Sequence, residues 1–231
     1  MSAAITVIVA VRNGAATLAA ALESVTAQQL PDGLDAPEIL VIDGGSTDGS
    51  DRIAASHPAV TLIRQASTGL AGARNEAIRA AHGSMLAFCD ADDRWTANSL
   101  TVRLRALDAS TDAIAAIGNV ALCASEEGQP TAAQHSRIGT VRAGFTPGCM
   151  LARRSAFDRV GMFDEMLRIG ADSDWFVRLR QSGLRVAMVD STVLMKGARN
   201  TSLSADIATY RKELLDVGRR FIRRQKEDRQ P

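Results

Sequence analysis

Met85–Asp93, MLAFCDADD, carries the reading of the fold. Five largely apolar residues run straight into three carboxylates, Asp90, Asp92 and Asp93. An apolar run of that length suits a buried strand. Charge placed abruptly at its end suits the carboxyl edge of a sheet, where open α/β folds bind ligands. Side chains alternate along a strand, so Asp90 and Asp92 face the same way. Carboxylates held that close repel, and a divalent cation with oxygen ligands relieves the repulsion. A solvated acidic loop fits D-x-D equally well, so the motif alone decides nothing.

Upstream, the chain alternates. Ala4–Val11 reads as a central strand, broken by Arg12, Asn13 and Gly14, and Leu18, Leu22 and Val25 mark the inner stripe of a helix. Pro31–Pro37 is a polar loop, Glu38–Ile42 a second strand, Asp51–Ser56 a short helix and Val60–Ile63 a third strand. Gly69–Ala81 is a helix with a small-residue face, Ala73, Ala77 and Ala81, and Gly83 follows it. Strand–helix alternation of this kind predicts an α/β fold on a mostly parallel sheet flanked by helices.

Downstream, Thr96 is placed to cap a helix with the stripe Leu100, Leu104 and Leu107. Ala113–Cys123 reads as a strand, Ala124–Gln134 as a polar loop, Gly148–Leu151 as a short strand and Arg154–Val160 as a short helix. Asp172–Gln181 reads as a helix and Arg185–Val189 as a strand. Ala205–Lys226 is a long terminal helix with Tyr210, Leu214, Val217 and Phe221 on its inner face. No repeat or linker divides the 231 residues, and one domain is expected: 1–95 a nucleotide-binding half, 96–204 an acceptor half, 205–231 a C-terminal helix and basic tail.

A 46% hydrophobic content supports a substantial core, and with 4% aromatics that core is mostly aliphatic. A net charge of +1 argues against a whole-protein attraction to nucleic acid. Cys89, Cys123 and Cys149 are widely spaced and form no C-x-x-C pair, which reads as buried thiols in a reduced compartment. No two of His57, His82 and His135 stand at metal-ligand spacing. The first residues lack the basic region of a signal peptide, and no stretch reaches the roughly 18 apolar residues of a membrane span, so a cytoplasmic location is expected.

Asp43 closes the second strand and opens DGGSTDGS. A carboxylate there accepts hydrogen bonds from a nucleobase or ribose, or simply closes an Asx turn; both readings stand. The dinucleotide fingerprint needs G-x-G-x-x-G after the first strand, where this chain has RNGAAT with one glycine. NAD or FAD binding is disfavoured, and the P-loop pattern is missing as well.

Taken in order, VRN, EILVIDGGSTDGS, GLAGARNEAIRAAHG, MLAFCDADD and GMFDEMLRIGADSDWFVRLRQSG resemble the family 2 glycosyltransferases of the GT-A fold, over about residues 4–204. The resemblance implies a Rossmann-like nucleotide-diphospho-sugar transferase that inverts the anomeric centre. It implies that Asp43 hydrogen-bonds the base and that the backbone of Ala10, Val11, Arg12 and Asn13 walls the base pocket. Arg74 and Ala91 would line the nucleotide site, with Asp90 toward the ribose, Asp92 on a divalent cation (Mn²⁺ or Mg²⁺) and Asp172 as catalytic base. The donor would be a nucleotide sugar, a UDP-sugar first, and the acceptor a hydroxyl.

The chemistry suits these residue types. A cation stabilises the charge that builds on a departing diphosphate, and a carboxylate opposite takes the acceptor's proton. Asp172 opens its helix, which favours the ionised form, and Asp174 and Arg178, four apart, can brace that turn. Trp175 and Phe176 read as core.

Departures are visible. Ala10 and Arg12 stand where the family often has proline and an aromatic, Gly44 where a second acid is frequent, and Ala171 where glutamate often precedes the base. MKGARNTSLS lacks the histidine of many relatives, and Lys196 and Arg199 offer cationic diphosphate contacts or form an ordinary basic loop. Arg219, Arg220, Arg223 and Arg224 beside Phe221 and Ile222 offer a peripheral contact with an anionic inner membrane face, a solvated tail or a homodimer contact. Two rival readings remain: a nucleotide-sugar-binding protein with degraded catalysis, and a sugar nucleotidyltransferase, for which VRNGAAT is a poor match.

Overall fold

The computed structural model describes residues 4–124, 132–198 and 206–227. Its first half follows the alternation of the sequence. β1 (Ile5–Val11) leads to α1 (Ala15–Thr26), β2 (Glu38–Asp43), α2 (Ser50–Ser56), β3 (Val60–Arg64), α3 (Gly69–Ala80) and β4 (Met85–Asp90). All three pairings among these strands are parallel, in the order β3–β2–β1–β4. β1, β2 and β4 are buried on both faces, which is why their sequences are near-continuous apolar runs.

The second half is mixed. β5 (Asp93–Trp95), α4 (Ser99–Ala109), β6 (Ala115–Ala124), α5 (Ala132–His135) and β7 (Val141–Ala143) precede a 3-10 turn at Pro147–Cys149. β8 (Met150–Arg153), α6 (Ser155–Val160), α7 (Ala171–Gln181), β9 (Val186–Ala198) and α8 (Ile207–Glu227) complete the chain. β8 runs antiparallel between β4 and β6, β7 pairs antiparallel with the other part of β6, and β9 lies parallel to β6 and carries β5 antiparallel beside it. One hydrophobic core runs from Ile5 to Val217.

Three local expectations change. The Thr96 hydroxyl does not cap α4; it donates to the Thr192 carbonyl at 2.8 Å and so ties the helix entrance to β9. The last strand continues past Val189 to Ala198, with register irregularities opposite Ile117–Val120. On α8, Val217 is buried and Tyr210 and Phe221 are partly covered, but Leu214 is exposed. The loop expected over Ala124–Gln134 lies largely outside the described residues.

Six aromatic rings in a chain poor in them form one column. Phe88, Phe157, Phe163, Trp175, Phe176 and Phe145 touch in succession at centroid distances of 5.1–5.9 Å. Trp175 and Phe176 are core, as their sequence context indicated. Cys89 and Cys149 are buried and Cys123 half-buried; none forms a disulfide, and burial raises all three thiols above their ordinary pKa.

Candidate active site

Strand register assembles the site. β1 lies between β2 and β4, with Val11 opposite Asp43 and Ala10 opposite Asp90. Each carboxylate ends its own strand, so the two flank the end of β1 about two strand spacings, ~9.6 Å, apart.

Asp43 is buried, and both of its oxygens accept the Ser46 N–H at 3.2 Å. It lines an open groove of about 280 Å³ with Gly45, Ser46, Asp51, Arg64 and Gln65. A Cβ at Gly44 would stand 2.9 Å from Gln65 Oε1, the end of a flexible side chain that can swing aside. An acid in its place would push Gln65 aside.

The rest of DGGSTDGS holds the neighbouring loop. Asp48 Oδ2 accepts the Ala15 N–H at 2.9 Å and Ser50 Oγ accepts the Gly14 N–H at 3.0 Å, satisfying donors at the start of α1 that have no intrahelical partner. Asn13 sits in the left-handed region at φ 54°, donates its N–H to Ser46 Oγ and accepts the Thr47 N–H at 2.8 Å. Arg12 is exposed beside this clasp, and Ala10 and Val11 supply backbone behind it.

Arg74 connects the two halves. It is 1% exposed on α3, and its Nη2 donates to Asp90 Oδ1 at 2.7 Å while its Nη1 donates to Asp172 Oδ1. Its guanidinium also lies 5.7 Å from the Phe163 ring centre. Burial acts to lower its pKa, but Asp172 and Asp90 outweigh it and the group stays cationic. Asn75, the next residue, donates from Nδ2 to the Phe163 carbonyl at 2.9 Å and accepts the Phe163 N–H at 3.0 Å.

Asp172 is the second residue of α7 and its side chain is 27% exposed. Its pKa is raised: burial is the main cause, Arg74 opposes it, and Asp90 adds to the rise. The helix start alone would have held it down, so the surroundings dominate here. Asp174 and Arg178 pair as their spacing indicated, at 2.7 Å, and Arg178 also donates to the Val160 and Met162 carbonyls.

Asp90, Asp92 and Asp93 each offer an oxygen, and these oxygens lie within 4.8 Å of one another. Oxygen ligands bind Mg²⁺ or Mn²⁺ at about 2.0–2.2 Å, so such a cluster can share one ion. Among the described residues, four carboxylates, Asp90, Asp92, Asp93 and Asp172, face two cations, Arg74 and Lys196. The oxygen donor set is of the kind a divalent cation takes.

Asp93 is the residue whose part in the site the sequence left unread. β5 buries it to 1% exposure opposite Lys196 of β9, whose Nζ donates to its Oδ2 at 2.9 Å. Burial raises the Asp93 carboxyl pKa, Lys196 opposes, and Asp92 and Asp90 add to the rise. Lys196 is held cationic by Asp93 and Asp90, the latter 4.0 Å away. The positive charge expected at the diphosphate end is therefore already set against the acid cluster. Arg199 lies outside the described residues. On α8, Arg219 pairs with Asp216 at 3.1 Å and Arg220 with Asp164 at 2.6 Å, so these two members of the basic quartet are engaged within the chain.

The profile described as Glycosyl transferase family 2 matches residues 6–161, and the chain belongs to that family. It is 31% identical over 226 residues to the succinoglycan biosynthesis protein ExoU of Rhizobium meliloti (strain 1021), covering 88% of this chain and 64% of that protein. Two solved structures share the fold. The mannosyltransferase PcManGT from Pyrobaculum calidifontis, in complex with GDP-Man and Mn²⁺, has a TM-score of 0.66 and 24% identity over 96% of this chain and 65% of that one. S. aureus TarS, in complex with UDP-GlcNAc, has a TM-score of 0.66 and 18% identity over 89% of this chain and 61% of that one. The fold is GT-A. The chain spans less than two thirds of the length of each of these relatives. Family membership sets aside the sugar nucleotidyltransferase reading.

Proposed function

We propose that the protein transfers a sugar from a nucleotide-diphosphate donor, a UDP-sugar first, to a hydroxyl acceptor with inversion, in glycan or glycoconjugate biosynthesis. The observation that carries this is the Arg74 fork, which ties Asp90 on the donor strand to Asp172 on α7. Residues 1–95 hold the donor and residues 96–204 supply most of the acceptor side.

Asp43 accepts an N–H of the base, while the backbone of Ala10–Asn13 and Ala91 walls the nucleotide. Asp90 meets the ribose, and Asp92, aided by Asp90 and Asp93, would hold the divalent ion. When bound, that ion neutralises the negative charge developing on the departing diphosphate. Lys196, and Arg199 beyond the described residues, add positive charge at the same end. Asp172 stands opposite, where it accepts the proton of the acceptor hydroxyl. The acceptor oxygen bonds to the anomeric carbon as the bond to the diphosphate breaks, and attack from the opposite face inverts the centre. A raised carboxyl pKa makes Asp172 a stronger base, and the Arg74 guanidinium opposes the rise.

Uridine is supported by TarS and guanosine by PcManGT, so the donor test spans both. Thermal stability is measured against UDP- and GDP-sugars with and without Mn²⁺, for the wild type and Asp92→Ala. One donor class should raise the melting temperature in a Mn²⁺-dependent way that the variant loses. If no nucleotide sugar shifts the wild type, the proposal fails.

A further inference from the structure

We propose that Glu213, on the C-terminal helix α8, is a positioning residue for Asp172; this rests on the reading of Asp172 as the base. Its carboxylate grips three successive backbone amides just ahead of α7. Oε1 accepts the Arg168 N–H at 3.0 Å, and Oε2 accepts those of Ile169 at 2.8 Å and Gly170 at 2.6 Å. Burial pushes the Glu213 pKa up, but hydrogen bonds from Gly170, Ile169 and Arg168 prevail and hold it below its ordinary value.

The grip is built for close approach. Gly170 precedes α7 and has no side chain to cap it. A Cβ at Gly170 would stand 3.2 Å from both Cβ and Oε2 of Glu213, tighter than ordinary packing. Ala171 is apolar, so the residue beside the base brings no polar support of its own. The support comes from about 40 residues downstream, where a carboxylate at a helix start is favourable for the dipole as well as for the open N–H groups.

The segment from Gly161 to Gly170 is held from two sides. Asn75 of α3 pins Phe163 by paired hydrogen bonds, next to Arg74. α8 pins the other end through Glu213 and through Arg220, which donates to Asp164 at 2.6 Å. Asp172 follows two residues after the last gripped amide, so its carboxylate is fixed between Arg74 and Glu213. Loss of the grip lets the start of α7 shift, and misplacing a reacting group by about 1 Å can slow turnover ~100-fold.

The test uses the full chain with Glu213→Ala, Glu213→Gln and a control, Val217→Ala, which removes a buried contact one turn along α8. Hydrogen exchange of the Arg168–Gly170 amides should speed up at least about tenfold in Glu213→Ala, and little in Val217→Ala. A thermal-stability double-mutant cycle between Glu213→Ala and Asp172→Asn should be non-additive, because each change disturbs the setting of the other. With UDP-GlcNAc and GDP-mannose as donors, nucleotide release should show kcat down roughly 10–100-fold for Glu213→Ala with KM for the donor within ~3-fold. Glu213→Gln, which keeps an acceptor oxygen, should lie between it and the wild type. An additive cycle, unchanged exchange, or a kcat loss no greater than that of Val217→Ala would overturn the proposal. Wild-type turnover in Asp172→Asn would instead remove the base reading and leave the exchange result standing.

Discussion

Arg74 and Asp172 are joined side chain to side chain across 98 positions of sequence. The contact joins α3 to α7, and the second arm of the same guanidinium holds Asp90 at the end of β4. Arginine presents a planar fork, so one buried side chain orients two carboxylates.

The fork gives the first prediction. Arg74→Lys keeps a charge but loses the fork, and should reduce turnover more than it reduces stability. Arg74→Ala takes the shared guanidinium from Asp90 and Asp172; removing a partner from a fully buried pair costs ~3–5 kcal/mol, and the partial exposure of both acids with Lys196 nearby puts this case nearer ~2 kcal/mol. Chemical denaturation alongside turnover checks both variants.

Lys196 and Asp93 give the second. Lys196→Met should destabilise by ~2–4 kcal/mol, since it strips the direct partner from a buried carboxylate. Adding Asp93→Asn should recover part of the loss, because the neutral side chain has no charge to compensate. A double variant as unstable as the single one would place the effect in packing instead.

The third concerns the cation. Chelation should abolish donor turnover, and Mn²⁺ should restore it in the wild type. Asp92→Ala should need a roughly tenfold or higher Mn²⁺ concentration for half-maximal activity, as expected when a carboxylate ligand is lost. Titration of activity against free Mn²⁺ is the measurement.

Acid stability gives the fourth. Glu38 and Glu213 are both held below their ordinary value of 4.5: burial opposes the shift, and hydrogen bonds from His82 and Thr6 to Glu38, and from Gly170, Ile169 and Arg168 to Glu213, produce it. A carboxyl depressed in the folded state contributes stability that is complete above the unfolded pKa and is lost as pH falls through the folded one. Burial holds Asp93 and Asp172 above their ordinary value and they act in the opposite sense, so the effect is read as a difference: the melting-temperature advantage of the wild type over Glu213→Gln should be constant above about pH 5.5 and shrink below about 4.5. The pH dependence of unfolding in the two proteins decides it.

Much of the fold was legible because its strands are short apolar runs that stop at charged residues. β1, β2 and β4 end where Arg12, Gly44 and Ala91 begin, and the stripes of α1 and α4 point inward as their periods require. β5 was not legible: it has three residues, two of them charged, and exists through its pairing with β9 about a hundred residues later. β9 was cut short because Asp190, Ser191 and Thr192 interrupt its apolar character where the ladder with β6 is irregular. Leu214 was assigned inward because helical period alone does not say how much of a stripe its neighbour covers.

The site divides in the same way. Asp43, Asp90, Asp92 and Asp172 were visible as acids at element ends, and Arg74 through its motif. Their mutual setting was not, because it depends on long-range contacts that no local period encodes. Asp93 stood in plain view beside the D-x-D pair, and the one available signal was a third acid two residues before the apolar Trp95. Glu213 carried no signal at all: on an exposed-looking helix it reads as surface charge.

The most direct test of the account is transfer by Asp172→Asn with the donor that stabilises the wild type. Single-turnover kinetics and the anomeric configuration of the product are measured beside donor affinity. The account predicts an inverted product from the wild type. The variant should lose roughly 10²–10⁴-fold in the chemical step with donor affinity within a few-fold. Wild-type turnover in the variant, or a retained anomeric configuration, would contradict it.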